Sequence, residues 1–169
     1  HTMESTTYLL KDKNGKDSAI FTGDTLFLGD VGRPDLAQKS SMTQEDLAAT
    51  LFDSLRTKIM PLANDVIVYP AHGAGSACGK NLSKETIGTL GDQKQHNYAL
   101  RKDMTKEEFV KEVTNGLLPP PAYFPLNVAL NKEGYKSIDE VIKTGTKALS
   151  ANDFELVANE TDALIIDVR

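Results

Sequence analysis

The chain has 169 residues, 40% of them hydrophobic and 25% charged, with a formal net charge of −5. That length suits one ordinary globular domain or pieces of two, and an acidic balance without a basic cluster argues against nucleic acid as the main partner. No run approaches the roughly 20 apolar residues that span a bilayer, the opening HTMESTTYLL lacks a signal-peptide pattern, and a single cysteine, Cys78, excludes an internal disulfide and fits a reducing cytoplasm.

In chain order, ESTTYLLKD (4–12) predicts a strand, and Asn14-Gly15 predicts a hairpin turn into a returning strand, SAIFTGD (18–24). Residues 29–42 read as a polar loop. Thr43 and Asp46 have capping-box spacing, with Asp in place of Glu, and open a helix. Leu47, Leu51, Leu55 and Ile59 give it one apolar face, and Pro61 stops it. DVIVYP (65–70) is a β-branched run suited to a buried strand, and His72 follows it. GAGSACGK (73–80) is a small-residue loop. Thr89/Asp92 and Thr105/Glu108 cap two further helices, the second ending near Gly116.

The composition then shifts. LLPPPAYFPLNVALNKEG (117–134) carries four prolines and reads as an extended surface segment rather than a helix or central strand. SIDEVIKTG (137–145) is a short capped helix. Ser150 caps another, followed by an apolar strand, ALIIDV (163–168).

Twice an apolar strand ends on a potential metal ligand, Asp24 and then His72. An Asp with one or two His suits zinc, iron or manganese, and strand ends are rigid supports for such a site. The bland alternative for Asp24 is a turn residue bonding its own backbone. The other histidines are His1 and His96, and His96, in a polar helical stretch, reads as a surface residue. Cys78 reads either as a small loop residue or as a reactive thiol whose pKa Lys80 lowers. Arg33, Lys80 and Arg101 could hold anionic substrate groups, with ordinary surface charge as the plainer reading, preferred for Arg101.

HT-x-E-S at the start, TGDTLF, GDVGR-x-D and PAHG occur in an order that resembles the second half of a metallo-β-lactamase-fold domain. The persulfide dioxygenase branch is the nearest in pattern, with the glyoxalase II hydrolases as relatives. PPPAYFPLNVALNKEG resembles the tail of that branch, and LSANDFEL followed by DALIIDVR resembles the opening of a rhodanese domain. The resemblance implies an α/β fold: an αββα sandwich, incomplete because its N-terminal half is missing, then the start of a rhodanese-like α/β domain. It implies domains at 1–130 and 147–169 joined by a linker at 131–146, within a longer molecule. An incomplete sandwich is expected to expose a large apolar sheet face.

Residue by residue, the resemblance makes His1 and Asp24 ligands of Fe2+. It puts His72 near the iron and Arg33 beside the site. The first iron histidine of the family comes from a His-x-His-x-Asp-His motif, which this sequence lacks. The implied activity is oxidation of a low-molecular-weight thiol persulfide by dioxygen to sulfite and thiol, coupled to rhodanese sulfur transfer, in a cytoplasmic homo-oligomer. One alternative is a binuclear Zn2+ thioester hydrolase of the glyoxalase II type, with Asp24 bridging the metals and His72 a direct ligand. Another is a non-enzymatic piece serving dimerisation or scaffolding.

Overall fold

Asp12 sets the first turn. Its carboxylate accepts from Asn14 N and Lys16 N, its amide donates to Lys16 O, and Gly15 takes the positive φ of 80° that an Asn-Gly turn requires. The turn joins β1 (Tyr8–Lys11) to β2 (Asp17–Gly23) as an antiparallel hairpin. In this computed structural model, which describes residues 1–37 and 42–167, β1 is shorter than the expected run over 4–12. Upstream of it the backbone turns on itself, with Ser5 N donating to Thr2 O and Thr6 Oγ1 to Glu4 O. Part of the predicted polar loop, residues 38–41, lies outside the described residues.

The Thr43 cap forms in both directions: Asp46 N donates to Thr43 Oγ1 at 3.1 Å, and Thr43 N donates to Asp46 Oδ2 at 3.0 Å. Aspartate thus closes the box as glutamate would. α1 (Gln44–Ser54) follows, and its last turn widens over Leu55–Ile59, with Met60 N bonded to Leu55 O at 2.8 Å. Pro61, with no N–H to give, ends it. Leu47, Leu51, Leu55 and Ile59 are all buried, as their four-residue spacing requires. Thr43→Ala is expected to lower stability by about 1 kcal/mol, read as a shift of the urea midpoint at unchanged slope.

β3 (Ile67–Pro70) lies parallel to β2, with Ile20 opposite Val68 and Phe21 opposite Tyr69. A two-residue strand, β4 (Gly88–Thr89), completes the order β1-β2-β3-β4. α2 (Leu90–His96) starts directly from β4 under the Thr89 cap. α3 (Lys106–Thr114) starts under the predicted Thr105/Glu108 box. One face of the sheet, with Ile20 and Val68, joins Leu51, Leu55, Leu100 and Phe109 in the core. The other face carries Tyr8, Leu10 and Phe21, 70%, 51% and 45% exposed, and Phe21 stacks on Tyr69 at 5.1 Å. This is the open apolar face expected of an incomplete sandwich.

The chain divides into two compact units, His1–Pro120 and Pro121–Arg169. The second contains α4 (Phe124–Glu133), α5 (Ile138–Gly145) and α6 (Ala151–Glu160), none with a buried residue. α5 and α6 have their expected serine caps, Ser137 and Ser150. α4 corrects the extended reading of 117–134. Three of the four prolines precede the helix, and Pro125 falls in its first turn, where the missing N–H has no intrahelical acceptor to lose. The expected strand 163–168 is also corrected: residues 163–167 form no strand, and Leu164, Ile165 and Ile166 are exposed. A strand needs a ladder partner, and the described residues offer this one none. No described helix is long and apolar enough to cross a membrane.

Candidate metal centre

Because β2 and β3 run parallel, their C-terminal ends meet at one edge, where Ala71 N donates to Gly23 O at 3.1 Å. Asp24 follows β2 and His72 follows β3, so the crossover through α1 brings them together. His72 Nε2 lies 3.2 Å from Asp24 Oδ1, and His1 Nε2 lies 3.5 Å from Asp24 Oδ2. The Asp24 carboxylate therefore faces two imidazoles rather than its own turn.

His1 is oriented by its other nitrogen, with Nδ1 2.9 Å from Arg33 O. A carbonyl only accepts, so Nδ1 carries the proton and Nε2 turns its lone pair toward Asp24. Gly32 permits this approach. A Cβ there would lie 1.9 Å from Asp24 O and 2.9 Å from His1 Nδ1. His72 packs on Phe27 with ring centroids 4.8 Å apart, and its Nδ1 is buried without a hydrogen-bond partner among the described residues. Asp24, His72 and Cys78 form a group whose possible ligand atoms all lie within 4.8 Å of one another.

The loop carrying Cys78 is pinned on both sides. Arg33, 5% exposed, donates Nε and Nη2 to the Asp35 carboxylate, Nη1 to Ala77 O at 3.1 Å, and Nη2 also to Leu118 O. Its pKa is held above the ordinary value first by the bond to Asp35, with a smaller contribution from Cys78, while burial opposes the shift. On the other side Asp30, 1% exposed, accepts from Lys80 N and Asn81 N through Oδ2 and from Val31 N and Tyr98 Oη through Oδ1. Burial first, then the Asp30 carboxylate, pushes the Tyr98 phenol far above its usual range.

The structure brings His1, Asp24 and His72 together, the pair that the resemblance implied as iron ligands and the histidine it put near the iron. Lys80 points elsewhere: its Nζ donates to Glu112 O and Asn115 O at the end of α3, so it offers Cys78 no ammonium. His96 is exposed, and Arg101 is an exposed partner of Asp103. Asp30 and Tyr98 were not singled out from the sequence. The only local signal was an acidic residue inside GDVGR.

The donors present suit a metal. One imidazole is fixed in its ligating tautomer, and a carboxylate sits between two rings. His1 lies against one oxygen of that carboxylate and His72 against the other, with Cys78 close to Asp24 and His72.

No family model matches the chain. Among solved structures, a metallo-β-lactamase from Staphylococcus aureus subsp. aureus COL superposes with a TM-score of 0.70 at 32% identity, covering 80% of this chain and 38% of that one. The fold is metallo-β-lactamase-like, and incomplete. ETHE1 from Myxococcus xanthus also aligns with this metallo-β-lactamase-like chain, with a TM-score of 0.59 at 28% identity, covering 78% of it and 49% of the neighbour. The human mitochondrial persulfide dioxygenase ETHE1 is 32% identical over 131 residues, 78% of this chain and 43% of the relative. The hydroxyacylglutathione hydrolase GloC of Haemophilus influenzae is 38% identical over 60 residues, 36% of this chain and 25% of the relative. The chain thus spans less than half the length of these curated relatives.

Proposed function

We propose that this metallo-β-lactamase-like segment supplies part of the active site of a non-haem iron persulfide dioxygenase. The observation that carries the reading is the convergence of His1 Nε2 and Asp24 Oδ2, 3.5 Å apart, with His1 oriented by Arg33 O. The similarity to persulfide dioxygenases, which runs through 131 residues, supports it further. In this reading His1 and Asp24 hold Fe2+ with a second histidine from elsewhere in a longer chain. When bound, the iron supplies open positions at which a sulfur and dioxygen meet.

The chain's own residues then do the positioning. Gly32 lets His1 approach Asp24, Arg33 O holds the proton of His1 at Nδ1, and Phe27 packs against the His72 ring. The substrate is a low-molecular-weight thiol persulfide, and the products are sulfite and the thiol. Arg33 contributes by holding the 77–78 loop, since its guanidinium is already bonded to Asp35, Ala77 and Leu118. A coupled rhodanese-type sulfur transfer in the longer chain completes the proposal, on the strength of the Ser150-capped helix and the apolar run after it.

The test is oxygen uptake by the full-length protein, loaded anaerobically with ferrous iron and given glutathione persulfide. Uptake matched by sulfite is expected, falling at least about 100-fold in His1→Ala and Asp24→Asn, since loss of a direct ligand costs no less than loss of its supporting partner. Bound iron without uptake would exclude the reading. One observation favours a second reading: His72 Nε2 at 3.2 Å from Asp24 Oδ1 suits a carboxylate bridging two zincs in a thioester hydrolase, in keeping with the similarity to GloC. Metal content separates the two, one iron per chain against two zincs.

A further inference from the structure

We propose that the cleft beside β4, between residues 28–29 and α2, binds a small organic cation: a primary ammonium on an apolar body, with an amide oxygen for Gln93 to hold.

The cleft encloses about 290 Å3, with Leu28, Ser83, Glu85, Ile87, Asp92 and Gln93 among its walls. That size lies at the small end of the range for small-molecule sites. None of His1, Asp24, His72 and Cys78 lines it. Gln93 is the residue that makes it a site. It is 8% exposed, and the two ends of its amide are distinguishable. Oε1 accepts from Gly29 N at 2.8 Å and from Asn97 Nδ2 at 3.4 Å. A backbone N–H only donates, so the oxygen faces Gly29 and Nε2 takes the other direction. Nε2 has no hydrogen-bond partner among the described residues. It faces Gly88, where an added Cβ would lie 3.5 Å from Nε2 and 3.1 Å from Leu28 Cδ2. Glycine therefore keeps open the space between the amide and the leucine. A nearly buried side chain thus commits its acceptor to the fold and keeps its N–H donors for the cleft.

The amide is also held still. Asn97, 1% exposed, meets Gln93 Oε1 while donating to Phe27 O at 3.2 Å and Asp30 O at 3.0 Å. Ser83 N donates to Leu28 O at 2.8 Å and ties the facing wall to the same segment. A donor fixed in advance loses little freedom when a ligand arrives.

The rim sets the charge of that ligand. Glu85 and Asp92 are exposed carboxylates, Ser83 Oγ donates to Glu85, and no lysine or arginine is among the described lining residues. His96, also on the rim, has Nδ1 3.1 Å from Asp92 O. That carbonyl only accepts, so Nε2 keeps the lone pair. Carboxylates and imidazole attract an ammonium and repel an anion, while the Gln93 amide asks for an oxygen. Leu28 and the half-exposed Ile87 supply the apolar contact.

The experiment is a calorimetric titration of leucinamide into the full-length, metal-stripped protein. Saturable one-to-one binding is expected, weakening as salt is raised. The neutral analogue 4-methylpentanamide should bind more weakly, and the anion 4-methylpentanoate not at all. Glu85→Gln, at an exposed position, should lower the affinity about two- to fivefold. Gly88→Ala should lower it at least about fivefold, by filling the gap between Leu28 and Gln93. Asp24→Asn should bind the probe as the parent does, which separates this cleft from the metal centre. The melting temperature of Glu85→Gln should match the parent. Absence of leucinamide binding, equal binding of 4-methylpentanoate, parental affinity in Glu85→Gln and Gly88→Ala, or binding lost in Asp24→Asn overturns the proposal. Neither iron nor oxygen uptake enters the measurement, so this inference and the dioxygenase reading fail separately.

Discussion

Gly32→Ala is expected to weaken metal binding at the candidate centre although it replaces none of the candidate ligands. A Cβ at this position would sit 1.9 Å from the Asp24 carbonyl and 2.9 Å from His1 Nδ1. The carbonyl belongs to the end of β2, which is tied to β3 through Gly23 O and Ala71 N. It cannot retreat without shifting Asp24, and the ring cannot retreat without leaving Arg33 O. Either movement breaks the pairing that turns His1 Nε2 onto Asp24. Losing one supporting bond of a ligating histidine costs about 10–100-fold in metal affinity. Here the ligand spacing changes as well, so a loss of at least about 100-fold is expected, together with about 1–3 kcal/mol of stability from overpacking. Metal content after dialysis and a urea melt read the two effects. A variant that keeps parental metal affinity would show that the site is not built on this close approach.

Asp30→Ala is the second large effect. Asp30 is 1% exposed and accepts from four donors: Val31 N and Tyr98 Oη at 2.8 Å, Asn81 N at 2.7 Å, and Lys80 N. Alanine removes the acceptor and leaves those donors behind. A buried donor stranded in this way costs about 1–3 kcal/mol, so a loss of at least about 3 kcal/mol is expected in denaturant melts. Asp30→Asn should fall between alanine and the parent, because the amide has one oxygen to accept with and turns an NH2 group toward the remaining donors. The loop that carries Cys78 should loosen in step, with faster alkylation of the thiol in Asp30→Ala. An alanine variant of parental stability would contradict the count of donors.

Much of the fold was legible because its signals are local. Thr43, Thr105 and Ser137 announce helices through partners three residues away, and Asn14-Gly15 announces the hairpin. The stripe from Leu47 to Ile59 reports the core face directly. What the sequence hid depends on distance or on context. Pro125 was read as a helix breaker, although in a first turn the ring is tolerated. ALIIDV was read as a strand, although a strand is a property of two segments. The candidate ligands stood out through strand ends and family resemblance, whereas the clamp behind them did not. Asp30 meets Lys80, and Arg33 meets Ala77, across 50 and 44 residues of chain, and nothing in GDVGRPD names those partners. Arg33 and Lys80 were read as anion holders because a sequence cannot tell that their donors are already engaged, those of Arg33 by the Asp35 carboxylate and two carbonyls and those of Lys80 by two carbonyls.

The parallel pairing of β2 with β3 also bears on how the protein folds. A hairpin such as β1–β2 can close within its own turn, but two parallel strands must wait for the helix between them to form and dock. Loop closure of that kind comes late and slowly. Asp24 has no imidazole from β3 beside it until then, so the nascent chain has little with which to capture a metal early. Interactions formed after the folding barrier act mainly on the rate of unfolding. Bound metal should therefore work as a latch on the finished molecule, prolonging its lifetime without hastening its assembly.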